Sequence, residues 1–158
     1  MAQKLSKKAK VAVKPVKTTP AKKGGLSMPK EFYSAVGRRK TAVARARIWA
    51  GKQEITVNGK PASTYFKGDT LQKVYQAPFA ATETLGKFSG SIKIAGSGIT
   101  SQADAFVHAI ARALSKADEG YKKVLRDQGF LTRDSRMKET RKAGQGGRAR
   151  SKKQSPKR

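Results

Sequence analysis

The chain contains no cysteine and a single histidine, His108, in 158 residues. The first absence excludes disulfides, thiol nucleophiles and thiolate metal sites, and one imidazole cannot assemble a metal cluster alone. No window approaches the roughly 20 apolar residues that span a bilayer. The N-terminal stretch also lacks the apolar run of ~7 to 15 residues that a secretory signal needs. The default expectation is a soluble, intracellular protein with no membrane partner. Acid is scarce as well: 10 Asp and Glu stand against 36 Lys and Arg, a formal net charge of +26. Self-repulsion on that scale implies a permanent polyanionic partner, although charge alone names no particular polyanion.

The charge is unevenly spread. Residues 1–30 hold nine Lys and no acid, with Pro15, Pro20 and Pro29 breaking any helix. They read as a disordered Lys-rich extension. Residues 133–158 hold eleven basic side chains and only Asp134 and Glu139, with Gly144, Gly146 and Gly147 and no aromatic residue. They read as an extended basic tail. Residues 31–132 carry almost all the large apolar side chains, so only this middle can bury a core.

Within it, Ala42, Ala44, Ala46 and Ile48 alternate with Arg45 and Arg47, the period-2 pattern of a strand buried on one face. Ala50, Gly51 and Lys52 then turn the chain into Glu54 to Val57, which reads as an antiparallel hairpin, and Asn58-Gly59 is a turn signal. Asp69 is expected to cap a short helix with Leu71, Val74 and Tyr75 on one side, ended by Pro78. Phe88, Gly90, Ile92 and Ile94 alternate with Lys87, Ser89, Ser91 and Lys93, which predicts a third strand. After Gly96 and Gly98, Ser101 and Asp104 resemble a capping box. The helix that follows places Phe106, Ile110, Ala113, Leu114 and Ala117 on one face. Gly120 interrupts it, and another turn or two should end at Gly129. Strands followed by helices predict an α+β layer, a mainly antiparallel sheet with helices on one face.

Catalytic arrangements are weak. The glycines at 96 and 98 before a helix favour an anion, but no Walker lysine follows and no dinucleotide fingerprint is complete. His108 stands four residues after Asp104, yet nothing supplies a nucleophile, so a surface histidine is expected. Glu31, Glu54, Asp69 and Glu83 are scattered and make no acid-base pair or metal cluster. No enzyme activity and no cofactor are expected. The cations are more informative. Arg38, Arg39, Lys40, Arg45 and Arg47 follow one another without an acid between them, whereas a solubilising surface mixes both signs. Arginine's planar fork binds phosphate bidentately and stacks on bases, while lysine acts as a point charge. Specific docking is therefore expected from this strand and the Arg-bearing C-terminal tail, and looser attraction from the N-terminal extension. A histone-like DNA-compacting protein would share the charge and the Lys-rich tail but not the arginine-bearing strand.

Five blocks, in order, resemble the small-subunit ribosomal protein S-nine family. They are Tyr33-Ser-Ala-Val-Gly-Arg-Arg-Lys-Thr-Ala-Val-Ala-Arg-Ala-Arg-Ile48, Ile55-Thr-Val-Asn-Gly59, Thr84-Leu-Gly-Lys-Phe88, Ala109-Ile-Ala-Arg-Ala-Leu114 and Gly129-Phe-Leu-Thr-Arg-Asp134. The resemblance implies a fold like the second domain of ribosomal protein S-five, with about four strands backed by helices. It also implies a place in the head of the small subunit of a cytoplasmic or organellar ribosome. The implied partners are the 3′ major domain of small-subunit rRNA, neighbouring proteins of the head and peptidyl-site tRNA, with no homo-oligomer. Charge pattern and resemblance together assign rRNA binding to Arg38, Arg39, Lys40, Arg45, Arg47 and Arg112 in the middle. In the tail they assign it to Arg133, Arg136, Arg141, Lys142, Arg148, Arg150, Lys152 and Lys153. By position the tRNA contact falls on Lys157 and Arg158. The family ends on an aromatic residue before Ser-Lys-Arg, whereas this chain ends Gln154-Ser-Pro-Lys-Arg158. Residues 1–30 have no counterpart in the family's short bacterial form.

Overall fold

A computed structural model describes residues 31–146. The N-terminal extension and the candidate contacts Arg148, Arg150, Lys152, Lys153, Lys157 and Arg158 lie outside the described residues. The chain runs through β1 (Tyr33–Arg39), β2 (Ala42–Ala50), β3 (Thr56–Val57), β4 (Lys60–Pro61), α1 (Ala62–Tyr65), α2 (Asp69–Ala81), β5 (Phe88–Ala95), α3 (Ile99–Ala117) and α4 (Gly120–Asp127). The strands form a five-stranded sheet in the order β1-β2-β5-β3-β4. All neighbours are antiparallel except β3 and β5, which run parallel.

The expected α+β architecture is present, with one strand more than about four. Residues Tyr33–Arg39, where the sequence pattern predicts no strand, are themselves one. They pair with β2 along their whole length, from Tyr33 opposite Ile48 to Arg39 opposite Ala42. The expected hairpin between the arginine strand and Glu54–Val57 does not form. Both edges of β2 are taken, by β1 on one side and by β5 on the other, from Val43 opposite Ala95 to Ala50 opposite Phe88. A two-residue β3 cannot compete with ladders of that length, so it docks on β5 instead. Asn58 and Gly59 do turn the chain, between β3 and β4. Their φ values of 51° and 80° are those of the primed turns that suit a two-residue hairpin.

Helix ends also differ from expectation. Asp69 is the first residue of α2 rather than its cap, and no side chain caps that end. Its charge still sits where the helix dipole favours an anion. Pro78 lies inside the last turn, and α2 continues to Ala81. A proline there forfeits one amide bond near a terminus, and both Pro78 and Phe79 are buried in return. α3 begins at Ile99 after Gly98, two residues before the expected box, with no side-chain cap. Ser101 is buried within its first turn, and Asp104 is engaged elsewhere.

The core lies between one face of the sheet and α3. Read across the strands, the helix-facing rows are Gly37, Ala44 and Ile94, then Ala35, Ala46, Ile92 and Val57. In these two rows β1 and β2 offer almost no side-chain volume, and α3 meets them with Ala105, Ala109 and Ala113, all fully buried. The closest approach is at Gly37, where an added Cβ would overlap the Ala105 carbonyl oxygen and the Ala109 amide nitrogen. Behind α3, Phe66, Tyr75 and Phe106 form a ring cluster with centroids 5.5–5.9 Å apart, which ties α1 and α2 to the helix. Leu125 brings α4 into the same core.

Candidate nucleic-acid interface

Because strand side chains alternate, the face that packs on α3 leaves a second face in solvent. Its rows are Arg38, Val43 and Ala95, then Val36, Arg45 and Lys93, then Ser34, Arg47 and Ser91. Arg38, Arg45, Arg47 and Lys93 are all exposed there, and β1, β2 and β5 contain no Asp or Glu. Arg45 lies directly opposite Lys93 in the register. Like charges in that position oppose strand pairing, and an anion seated between them would remove the repulsion. Lys93 was not among the expected contacts, although its place in a period-2 run was visible; only the ladder shows that it neighbours Arg45.

β1 is an edge strand, and its outward backbone groups are capped by one stripe of α3. Lys116 Nζ donates to the Ser34 carbonyl at 2.8 Å, Arg112 Nη1 donates to the Val36 carbonyl, and the Arg38 amide donates to His108 Nδ1 at 3.3 Å. Positions 108, 112 and 116 are successive turns of the helix, and 34, 36 and 38 are successive outward positions of the strand. His108 is therefore half-buried against β1 rather than a free surface residue. Burial foremost, then the Arg112 charge, holds its pKa below the ordinary 6.5. As a neutral ring it accepts at Nδ1. Arg112 is placed at this edge, beside Arg45, Arg47 and Lys116 around one groove.

The same stripe continues to Asp104, where the C-terminal tail begins. Arg39, with a side chain only 13% exposed, sets Nε 3.3 Å from Asp104 Oδ2 and Nη2 3.1 Å from Asp134 Oδ2. Its Nη1 donates to the Arg136 carbonyl at 2.8 Å. One guanidinium thus joins β1, α3 and the root of the tail. Arg136 grips Asp134 through Nε and Nη2, at 3.0 and 2.7 Å to Oδ2. Those hydrogen bonds, more than the Arg39 charge, hold the Asp134 carboxyl far below the usual carboxylate range.

The expected cations therefore divide. Arg38, Arg45 and Arg47 share the open face, with Lys40 exposed at its end in the turn from β1 to β2, at φ 50°. Arg39 is turned inward. Arg133 is exposed and lines a cavity of about 420 Å³ with Arg38, Arg39 and His108. From Arg133 to Gly146 the chain forms no helix or strand. Arg141 folds back, its Nη2 donating to the Gly146 carbonyl at 2.6 Å, while Lys142 is exposed. Among the described residues no three His, Cys, Asp or Glu side chains lie together to hold a metal. No helix there is long and apolar enough to cross a membrane.

Comparison with known proteins bears on what this surface meets. A family model described as ribosomal protein S9/S16 matches residues 37–158. The small ribosomal subunit protein uS9 of Maridesulfovibrio salexigens is 49% identical over 120 residues, which cover 76% of this chain and 92% of that protein. The protein of the same name from Lawsonia intracellularis is 43% identical over 117 residues, covering 74% and 90%. With the match starting inside the edge strand and running through the whole basic tail, the chain belongs to the ribosomal protein S9 family.

Proposed function

We propose that this protein lies in the head of the small ribosomal subunit with its open sheet face on rRNA of the 3′ major domain. The coarser role follows from the family: a structural constituent of the small ribosomal subunit, not an enzyme, associated with rRNA and other ribosomal proteins. The observation that carries the finer reading is the acid-free face, with Arg45 opposite Lys93. Such a pair weakens the isolated sheet and is relieved by phosphate. Arg38, Lys40, Arg45, Arg47 and Lys93 bind the backbone of the RNA. Arg39 contributes indirectly, by holding the root of the tail.

From that clamp the tail threads inward through Arg133, Arg136, Arg141 and Lys142, then Arg148, Arg150, Lys152 and Lys153. Lys157 and Arg158 reach the backbone of peptidyl-site tRNA. Neighbouring head proteins complete the surroundings, and a single copy suffices.

If the face and tail neutralise 6 phosphates, affinity for a head rRNA fragment falls by about 10³ between 50 and 200 mM salt. Filter binding across that range measures it, with duplex DNA as competitor. A flat salt response, or equal displacement by DNA, would sink the reading.

A further inference from the structure

A groove of about 490 Å³ follows the outer edge of β1, between the open face and the flank of α3, and Phe32, Arg45, Arg47, Arg112 and Lys116 line it. Four cations thus share one groove with an aromatic ring. Phe32 is 43% exposed, and the Arg47 guanidinium carbon lies 5.5 Å from its ring centroid. A guanidinium over a ring is a ready platform for a planar base. The position of Phe32 serves no core, because burial would have rewarded a phenyl ring far more than this half-open site does.

Arg112 and Lys116, in the same lining, are held by their bonds to the Val36 and Ser34 carbonyls. Each bond uses one N–H, whereas a guanidinium carries five and an ammonium three. The remaining donors are therefore presented at set positions, and little further ordering is lost when an anion arrives.

We propose that this groove binds a single unpaired RNA nucleotide, with its base on the Phe32–Arg47 platform and its phosphate on Arg112 and Lys116. The proposal rests on the RNA-binding reading of the sheet face and adds what a flat cationic face lacks. Phosphate contacts do not distinguish a paired nucleotide from a free one. A base held in a duplex cannot reach the ring, whereas a bulged or looped one can.

Two RNA hairpins of equal phosphate count test this, one fully paired and one with a single bulged adenosine, bound by the full chain and followed by fluorescence anisotropy. The wild type should prefer the bulged hairpin by about tenfold, within the range expected for one base stacked on an aromatic side chain. Phe32→Leu should abolish that preference without changing affinity for the paired hairpin or the salt slope. Phe32→Trp should retain it, which separates stacking from a folding defect. Equal wild-type affinity for the two hairpins with a steep salt response would overturn the groove alone. An equal loss on both hairpins for Phe32→Leu, with an unchanged melting curve, would also overturn it. Salt-independent binding to both would overturn the sheet-face reading and the groove with it.

Discussion

At the scale of single residues, cations that look alike in the sequence have different tasks. Arg38 and Arg39 are adjacent, yet strand alternation sends the first to solvent and the second onto Asp104 and Asp134. Replacing Arg39 with Met should leave the sheet intact and free the tail root. Amide exchange at residues 134–136 should quicken by about tenfold, the equivalent of one charge-assisted hydrogen bond. Unchanged exchange would remove Arg39 from that role. His108 gives a pH dependence of definite sign. Its folded pKa lies below the ordinary 6.5, so the unfolded chain binds the extra proton first. Its contribution to stability is complete above 6.5 and is lost as pH falls from there to the folded value. The melting temperature should therefore fall between pH 7 and pH 5, and His108→Gln should flatten that interval. The acid side of Asp134 is separate, since its depressed carboxyl loses its contribution only below the ordinary carboxylate range.

At the scale of elements, the packing of α3 on β1 and β2 controls the geometry of the cationic side. Alanine and glycine on the inner rows let the helix sit so close that side chains at 108, 112 and 116 reach around the strand edge. An unpaired edge is otherwise a template for unwanted strand pairing; here three side chains occupy it. Gly37→Val should destabilise the fold at or above the upper end of the ~1–3 kcal/mol range for overpacking, because the obstruction is helix backbone rather than a mobile side chain. Chemical denaturation measures this, and a loss under about 0.5 kcal/mol, the level of an ordinary surface change, would refute the close approach. The strand periodicities at Ala42–Ile48 and Phe88–Ile94 were legible because one face of each is buried. β1 was harder to see. Gly37 occupies the inward position where a large apolar residue would have revealed the alternation, and the contact that requires glycine there is long-range.

At the scale of the whole molecule, charge is separated rather than balanced. The globular middle holds most of the acids and the core, while the tail leaves the clamp with few acids to offset its arginines. Folding and tail function should therefore be separable. Removing Lys157 and Arg158 should weaken retention of peptidyl-site tRNA by roughly threefold to thirtyfold, as expected for one or two phosphate contacts in the tail, while subunit assembly proceeds. Dissociation rates of tRNA from purified subunits give the readout, and an unchanged rate would end the assignment.

By itself, the amino-acid sequence determined the need for an anionic partner, the division into one core-forming segment and two basic flanks, and the periods of the main strand and helix. Those properties depend on composition and local spacing. Tertiary structure alone decided that β3 joins β5 rather than β2, that Lys93 stands beside Arg45, and that Arg39 serves the tail while its neighbour faces solvent. It also brought Phe32 within reach of α3. Each is a contact between distant residues, set by competition among ladders and by how closely a helix can approach a sheet, and neither is written in any short stretch of chain.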